Sequence, residues 1–213
     1  MTKQLADANI TGVMKKKEET IDKIKKAAVL EFLDKGYAKA SLRTICRMAG
    51  VTTGAMYFSF ENKEALFRSI LEPLIAEYEK LLENYMGMEL SGEEQGEDLD
   101  VRMMKFILTH KNETLIIMEK AEGSCFKDYR VHVEQLMEQS FLTYYRSRLG
   151  VAPDEALLKI LAKMRLEGCL SIIKGNYDME YSLYRAKKIG IHAGGGTEKL
   201  IQDLLKEVHG NTL

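Results

Sequence analysis

Ser41-Leu42-Arg43-Thr44-Ile45-Cys46-Arg47-Met48-Ala49-Gly50-Val51-Thr52-Thr53-Gly54-Ala55-Met56-Tyr57-Phe58-Ser59-Phe60 reads as two short helices joined by a tight turn. Leu42, Ile45 and Met48-Ala49 recur at helical spacing and give the first helix one apolar face. Gly50 ends it, because glycine enters the left-handed backbone region without a Cβ penalty. Thr52 or Thr53 then caps a second helix, the hydroxyl accepting an N–H that the first turn leaves free. Helix, short glycine turn and helix is the pattern with which many proteins enter the DNA major groove.

Working outward, Ile21, Ile24, Ala28 and Phe32 share one face of a helix expected from about Thr20 to Lys35, stopped by Gly36. It supplies the third side of a three-helix core. Asn62 is a good cap for a long fourth helix that starts at Lys63, and Pro73 predicts a kink within it. A lysine beside a helix N-terminus, with its free N–H groups and partial positive charge, suits a phosphate.

The ordered run Ile45-Cys46-x-x-Ala49-Gly50-Val51-Thr52-x-Gly54-Ala55-Met56-Tyr57-x-x-Phe60-x-Asn62-Lys63-Glu64-x-Leu66 resembles the signature of the TetR family of transcriptional regulators. The likeness covers residues 18–70 and departs from the usual pattern at Cys46 and at Phe58-Ser59. It implies an all-α protein of about nine helices, with an N-terminal helix-turn-helix domain before a larger helical ligand-binding and dimerisation domain. It also implies DNA contacts at Arg43, Thr53, Tyr57, Ser59 and Lys63, with Thr52 and Ala55 beside them. From the residues themselves, Gly54 lets backbone approach DNA, Phe58 offers an apolar contact, and Ser41 reaches the sugar-phosphate backbone. Met56 and Phe60 face the core.

Charge is divided to match. Residues 1–68 hold 13 Lys and Arg against 8 Asp and Glu, and the remainder holds 18 against 24. A basic end on an acidic body suits a protein that meets phosphate with one end; ordinary charge scatter is the plainer explanation. The expected division is a flexible basic arm over 1–17, the helix-turn-helix domain over 18–62 and the helical body over 63–213. The arm ends in Lys15-Lys16-Lys17 and reads as a solvated tail or a DNA-backbone contact.

Along the body, Gly87 to Asp100 is acidic and glycine-rich and reads as an exposed loop. Helices follow over Val101–His110, Asn112–Glu122, Lys127–Arg148, Glu155–Lys174 and Met179–Val208, the last interrupted at Gly194-Gly195-Gly196. In the family the last two helices form a four-helix bundle across a two-fold axis, so a homodimer is expected through helices near 155–174 and 179–208. Gly168 and the three glycines would permit close approach there, although the triple glycine equally marks a loop. Met103, Phe106, His110, Met118, Phe126, Met137, Phe141, Tyr144, Met164 and Cys169 are candidates to line a pocket, since Met and aromatic side chains suit adaptable apolar sites. The same residue types build any helical core.

No apolar run reaches the length of a membrane span, and three cysteines at odd spacing fit buried reduced thiols in a cytoplasmic protein. No metal-ligand spacing, phosphate loop or nucleophile–base pair is present, and the four histidines have no partner spacing, so neither an enzyme nor a cofactor is expected. The function that the resemblance implies is a repressor that binds a near-palindromic, double-stranded DNA operator as a dimer and is released by a small-molecule effector. The other readings are a regulator without such a ligand, a helical interaction module and, last, a helical enzyme.

Overall fold

The computed structural model describes the backbone of residues 2–91 and 96–210, and the side-chain surroundings of 14–82 and 101–210. Within them the chain forms nine helices and no strand. In order they are α1 (Thr2–Lys39), α2 (Leu42–Ala49), α3 (Thr53–Ser59), α4 (Lys63–Ser91), α5 (Gly96–Thr109), α6 (Lys111–Glu119), α7 (Tyr129–Leu149), α8 (Glu155–Lys174) and α9 (Met179–Gly210). Packing divides the chain into two compact units, residues 1–75 with 112–127, and residues 76–111 with 128–213. That division follows packing; the boundary expected at residue 62 follows the end of the helix-turn-helix motif.

In the first unit, α1 and α2 are joined across a corner that begins at Gly36, whose φ of 73° breaks the helical path. Ile24, Phe32, Ile45, Met56, Leu66, Phe67 and Leu71 are fully buried. Phe67 sits at the centre of an aromatic nest, its ring centroid 4.8 Å from Phe32, 4.7 Å from Tyr37 and 6.1 Å from Phe126. Such pairs add to the burial of their large apolar area. The carboxylate of Glu31, only 7% exposed, accepts the Ser41 N–H at 3.1 Å and so fixes where α2 begins. Pro73 has no N–H to offer the carbonyl four residues back, which is that of Ser69. The Lys25 ammonium takes that carbonyl at 2.9 Å and ties α1 to α4.

In the second unit, Tyr145, Leu149, Leu158 and Ile201 form one core cluster of α7, α8 and α9, flanked by Phe141, Leu161 and Leu204. Arg130 bridges Glu134 at 3.3 Å and pairs with Glu167 of α8. Arg148 holds Glu198 of α9 through two bonds, of 2.9 and 3.0 Å. The Lys111 ammonium donates to the Gly175 carbonyl at 2.9 Å, and a Cβ on Gly175 would run into the Tyr177 ring.

Several expectations are corrected. Residues 2–17 continue α1 rather than forming a loose arm; they lack an apolar stripe but are rich in helix formers such as Ala, Leu, Lys and Gln. The side chains of 1–13 lie outside the described residues. The loop expected over 87–100 is helical over 87–91, as the end of α4, and over 96–100, as the start of α5, while 92–95 lie outside the described residues. Glu, Met and Leu there favour helix more than three glycines oppose it. Gly194, Gly195 and Gly196 do not interrupt α9. Their side-chain positions face open space, as does that of Gly168, so no close approach occurs at these sites within the chain. Cys125 is exposed, against the expectation of buried thiols; Cys46 is buried.

Candidate nucleic-acid interface

The turn between α2 and α3 is fixed by three local devices. The Ser41 hydroxyl accepts the Thr44 N–H at 3.4 Å and opens α2. Gly50 closes it in the left-handed conformation, φ 65°, with nothing near its missing side chain. The Thr52 hydroxyl accepts the Ala55 N–H at 3.1 Å and opens α3. Each satisfies a backbone group that a helix end would otherwise leave unpaired. Ile45 and Cys46 on α2, with Met56 and Phe60 of the α3 segment, turn inward.

The opposite side is what α2 and α3 offer to solvent. Arg43, Thr52, Thr53 and Gly54 are exposed, with Tyr57 at 55% and Phe58 at 78%. Ser41, Ala55 and Ser59 are half-buried at its edge. The Ser59 hydroxyl donates back to the Ala55 carbonyl at 3.1 Å. Nine of the ten expected contact residues are therefore exposed or half-buried on the α2–α3 segment.

Lys63 is different. Its ammonium donates to the carbonyls of Tyr37, Ala38 and Ala40 at 2.6, 3.3 and 3.2 Å, and lies 4.5 Å from the Tyr37 ring centroid. It caps the end of α1 instead of projecting outward as a phosphate clamp would. The sequence hides this because the carbonyls lie 23 to 26 residues upstream. Two further basic residues lie beside this surface: Arg47, which the sequence did not single out, and Lys17, the last of the Lys15-Lys16-Lys17 run. Arg47 is exposed one turn after Arg43, a spacing of four that places both on one side of α2. Lys17 holds its ammonium 5.3 Å from the Phe58 ring; a helix reaching back to residue 17 is what puts it there.

Beside Lys63, the Glu64 carboxylate accepts the Cys125 N–H at 3.1 Å, and hydrogen bonds to the Tyr37 hydroxyl and the Cys125 thiol. Burial alone would raise its pKa, but these hydrogen bonds outweigh it and hold the carboxyl below the usual glutamate value. Although the residue is exposed as a whole, partial desolvation of its sulfur and the same carboxylate push the Cys125 thiol up to about 11, so it is a poor nucleophile at neutral pH. The Tyr37 N–H donates to the Lys120 carbonyl at 2.8 Å. Gly36 and Gly123, both at positive φ, permit the close passage of chain at this junction.

The residues expected to line a ligand pocket are not gathered at either of the two grooves described. One groove is lined by Asp178, Glu180, Tyr181 and Tyr184, the other by residues of α1, α4 and α6, and none of the ten belongs to either. Met118 and Phe126 belong to the first unit, the other eight to the second. Met118 is buried. Phe106 packs on Tyr78 and His110, with centroids at 6.5 and 4.9 Å. Tyr144 bonds Arg148 at 3.0 Å and Glu198 at 3.3 Å. Met164 is 64% exposed, on the outside of α8. Among the described residues, no group of three His, Cys, Asp or Glu side chains could hold a metal, and no helix is long and apolar enough to cross a membrane.

Comparison with known proteins agrees with this geometry. Residues 24–70 match the domain described as bacterial regulatory proteins, tetR family. Over 126 residues the chain is 29% identical to the uncharacterised HTH-type transcriptional regulator YhgD of Bacillus subtilis, covering 59% of this chain and 65% of that protein. It is 45% identical over 53 residues to the HTH-type transcriptional repressor BepR of Brucella suis, a quarter of each chain. The chain thus spans less than two thirds of the length of these relatives. Among solved structures, NalD of Pseudomonas aeruginosa, the secondary repressor of the MexAB-OprM multidrug efflux pump, superposes with a TM-score of 0.53 at 24% identity. That match covers 83% of this chain and 95% of NalD, and it speaks for the fold.

Proposed function

We propose that the chain, whose residues 24–70 match the domain of tetR-family regulatory proteins, is a helix-turn-helix repressor that binds a near-palindromic operator as a homodimer and leaves it when a small molecule binds the body. The observation that carries this reading is the exposed face of α2 and α3. There Arg43, Thr53, Tyr57 and Phe58 stand open to solvent above a turn held by three caps. Thr52, Thr53, Gly54 and Ala55, in the first turn of α3, are assigned to base edges. Ser41, Tyr57 and Ser59 are assigned to phosphates, with Arg43 at the backbone or a guanine, and Phe58 to apolar contact. Without an Asn or Gln on this face, specificity leans on Arg43, methyl contacts, dimer spacing and DNA shape. Lys63 joins the set only by giving up the carbonyls it caps.

One such face reads few bases, so two are needed, about 34 Å apart on the duplex. The pairing surface we assign is α8 with α9. Ile160 and Met164 are 58% and 64% exposed on α8, and Tyr181 and Tyr184 are 52% and 54% exposed on α9. A repressor role is supported by the names of BepR and NalD. The apolar candidates that belong to the body, such as Phe106, Met137 and Phe141, suit an apolar effector there.

The experiment is retention of duplex DNA flanking the protein's own gene at two salt concentrations. The reading requires sequence-specific binding that falls steeply with salt. Tyr57→Ala should weaken it about tenfold with the dimer intact, the worth of one charge-assisted contact. Equal, weak binding to any duplex would sink the proposal.

A further inference from the structure

The larger of the two described grooves lies wholly in the first unit, between α1, α4 and the start of α6, and measures about 500 Å³. That is ample for a small organic molecule. Its apolar wall is Val29, Leu30, Ile70 and Pro73. Leu30 is 53% exposed, on a helix whose neighbouring positions Ala27 and Ala28 are buried. Beside this wall stand Lys25 and Lys26.

The charge balance in the groove is unequal. Lys25 is half-buried, and the hydrogen-bond partner recorded for its ammonium is the neutral carbonyl that Pro73 leaves free at Ser69. A carbonyl orients an ammonium but does not neutralise it, and a partly desolvated charge favours an opposite one. Among the described residues, neither Lys25 nor Lys26 has a carboxylate within 4.0 Å. The acidic residue lining the groove, Glu113, stands in the first turn of α6, where the helix N-terminus already favours its charge. Two ammonium groups against one carboxylate leave the groove positive beside an open apolar wall.

We propose that this groove binds an amphipathic carboxylate, its head on Lys25 and Lys26 and its apolar chain along Val29, Leu30, Ile70 and Pro73. The carboxylate adds a charged partner to Lys25, whose three N–H donors let it keep the Ser69 carbonyl as well. The site lies in the DNA-facing unit and is separate from any effector pocket of the body.

The test is calorimetric titration of the full-length protein with dodecanoate below its micelle threshold, with no DNA present, so that the result does not depend on the operator reading. The expected result is saturable binding that acetate and dodecyltrimethylammonium do not reproduce. Lys26→Glu and Leu30→Asp alter exposed side chains and should leave the thermal melt unchanged. Each should weaken binding about tenfold, the scale of one desolvated charge pair or one buried chain segment. Binding at full affinity in both variants would place dodecanoate elsewhere and overturn the proposal. Equal binding of the cationic analogue would also overturn it, because the lysines would then be irrelevant.

Discussion

The two units store their apolar side chains differently. In the first, large residues such as Phe32, Phe67, Ile45, Met56 and Ile116 are completely enclosed, and the open ones are Met14, Leu30, Met48, Tyr57 and Phe58 on α1, α2 and α3. The second encloses Leu170, Ile173 and Ile201 but leaves Val131, Val151, Ile160, Met164, Tyr177, Met179, Tyr181, Tyr184, Ile189 and Ile191 more than two-fifths exposed. A surface with scattered apolar groups is ordinary; one with so many along α8 and the first half of α9 is suited to being covered. The open residues of the first unit lie on α1, α2 and α3; those of the body lie mostly along α8 and α9, where the dimer is proposed.

The contrast can be broken most severely at the aromatic nest. Phe67→Ala should cost about 3–5 kcal/mol, the usual range for emptying a buried aromatic site. A calorimetric melt should show the loss, and a change under about 1 kcal/mol would mean the nest is not tightly packed. Next comes the body. Tyr181→Glu with Tyr184→Glu should convert the dimer to monomer by sedimentation at micromolar concentration, with helical content retained, because paired charges in a dry interface are costly. A dimer that survives would move the interface off α9. The smallest effect is the most informative about geometry. Gly195→Ala should raise stability by about 0.5–1 kcal/mol, since a helix-interior glycine gains from a Cβ that has room. Weaker dimerisation in that variant would instead locate the partner helix there.

What the sequence made legible was local. Ser41, Gly50, Thr52 and Asn62 each act on a backbone group within about four residues, so their roles are visible in order along the chain. Met56 and Phe60 followed from helical spacing alone. The readings that changed depended on distant partners or on composition. Lys63 meets carbonyls of the α1 end, a contact no spacing rule describes. Gly194–Gly196 and the acidic run after Gly87 looked like breaks because glycine is a poor helix former, yet that cost of about 1 kcal/mol per residue is small beside packing in a long helix. The pocket candidates were the least legible. Methionine and aromatic residues fill cores and pockets alike, so Met118 in a core and Met164 on a surface look the same in the sequence.

The junction at Tyr37 bears on how such a protein can be dismantled and rebuilt. Residues 112–127 belong to the first unit, and from that segment Lys120 offers its carbonyl to Tyr37 while Cys125 offers its N–H to Glu64. The unit that carries the helix-turn-helix is therefore assembled from two stretches of chain separated by 36 residues of the other unit. A fragment cut after residue 75 would take the Lys120 carbonyl from the Tyr37 N–H and the Cys125 N–H and thiol from Glu64, leaving it the Tyr37 hydroxyl, and would uncover Phe67 where Phe126 sits. A chimera that exchanges only the N-terminal stretch inherits the same mismatch. For engineering, the transferable piece is two segments moved together.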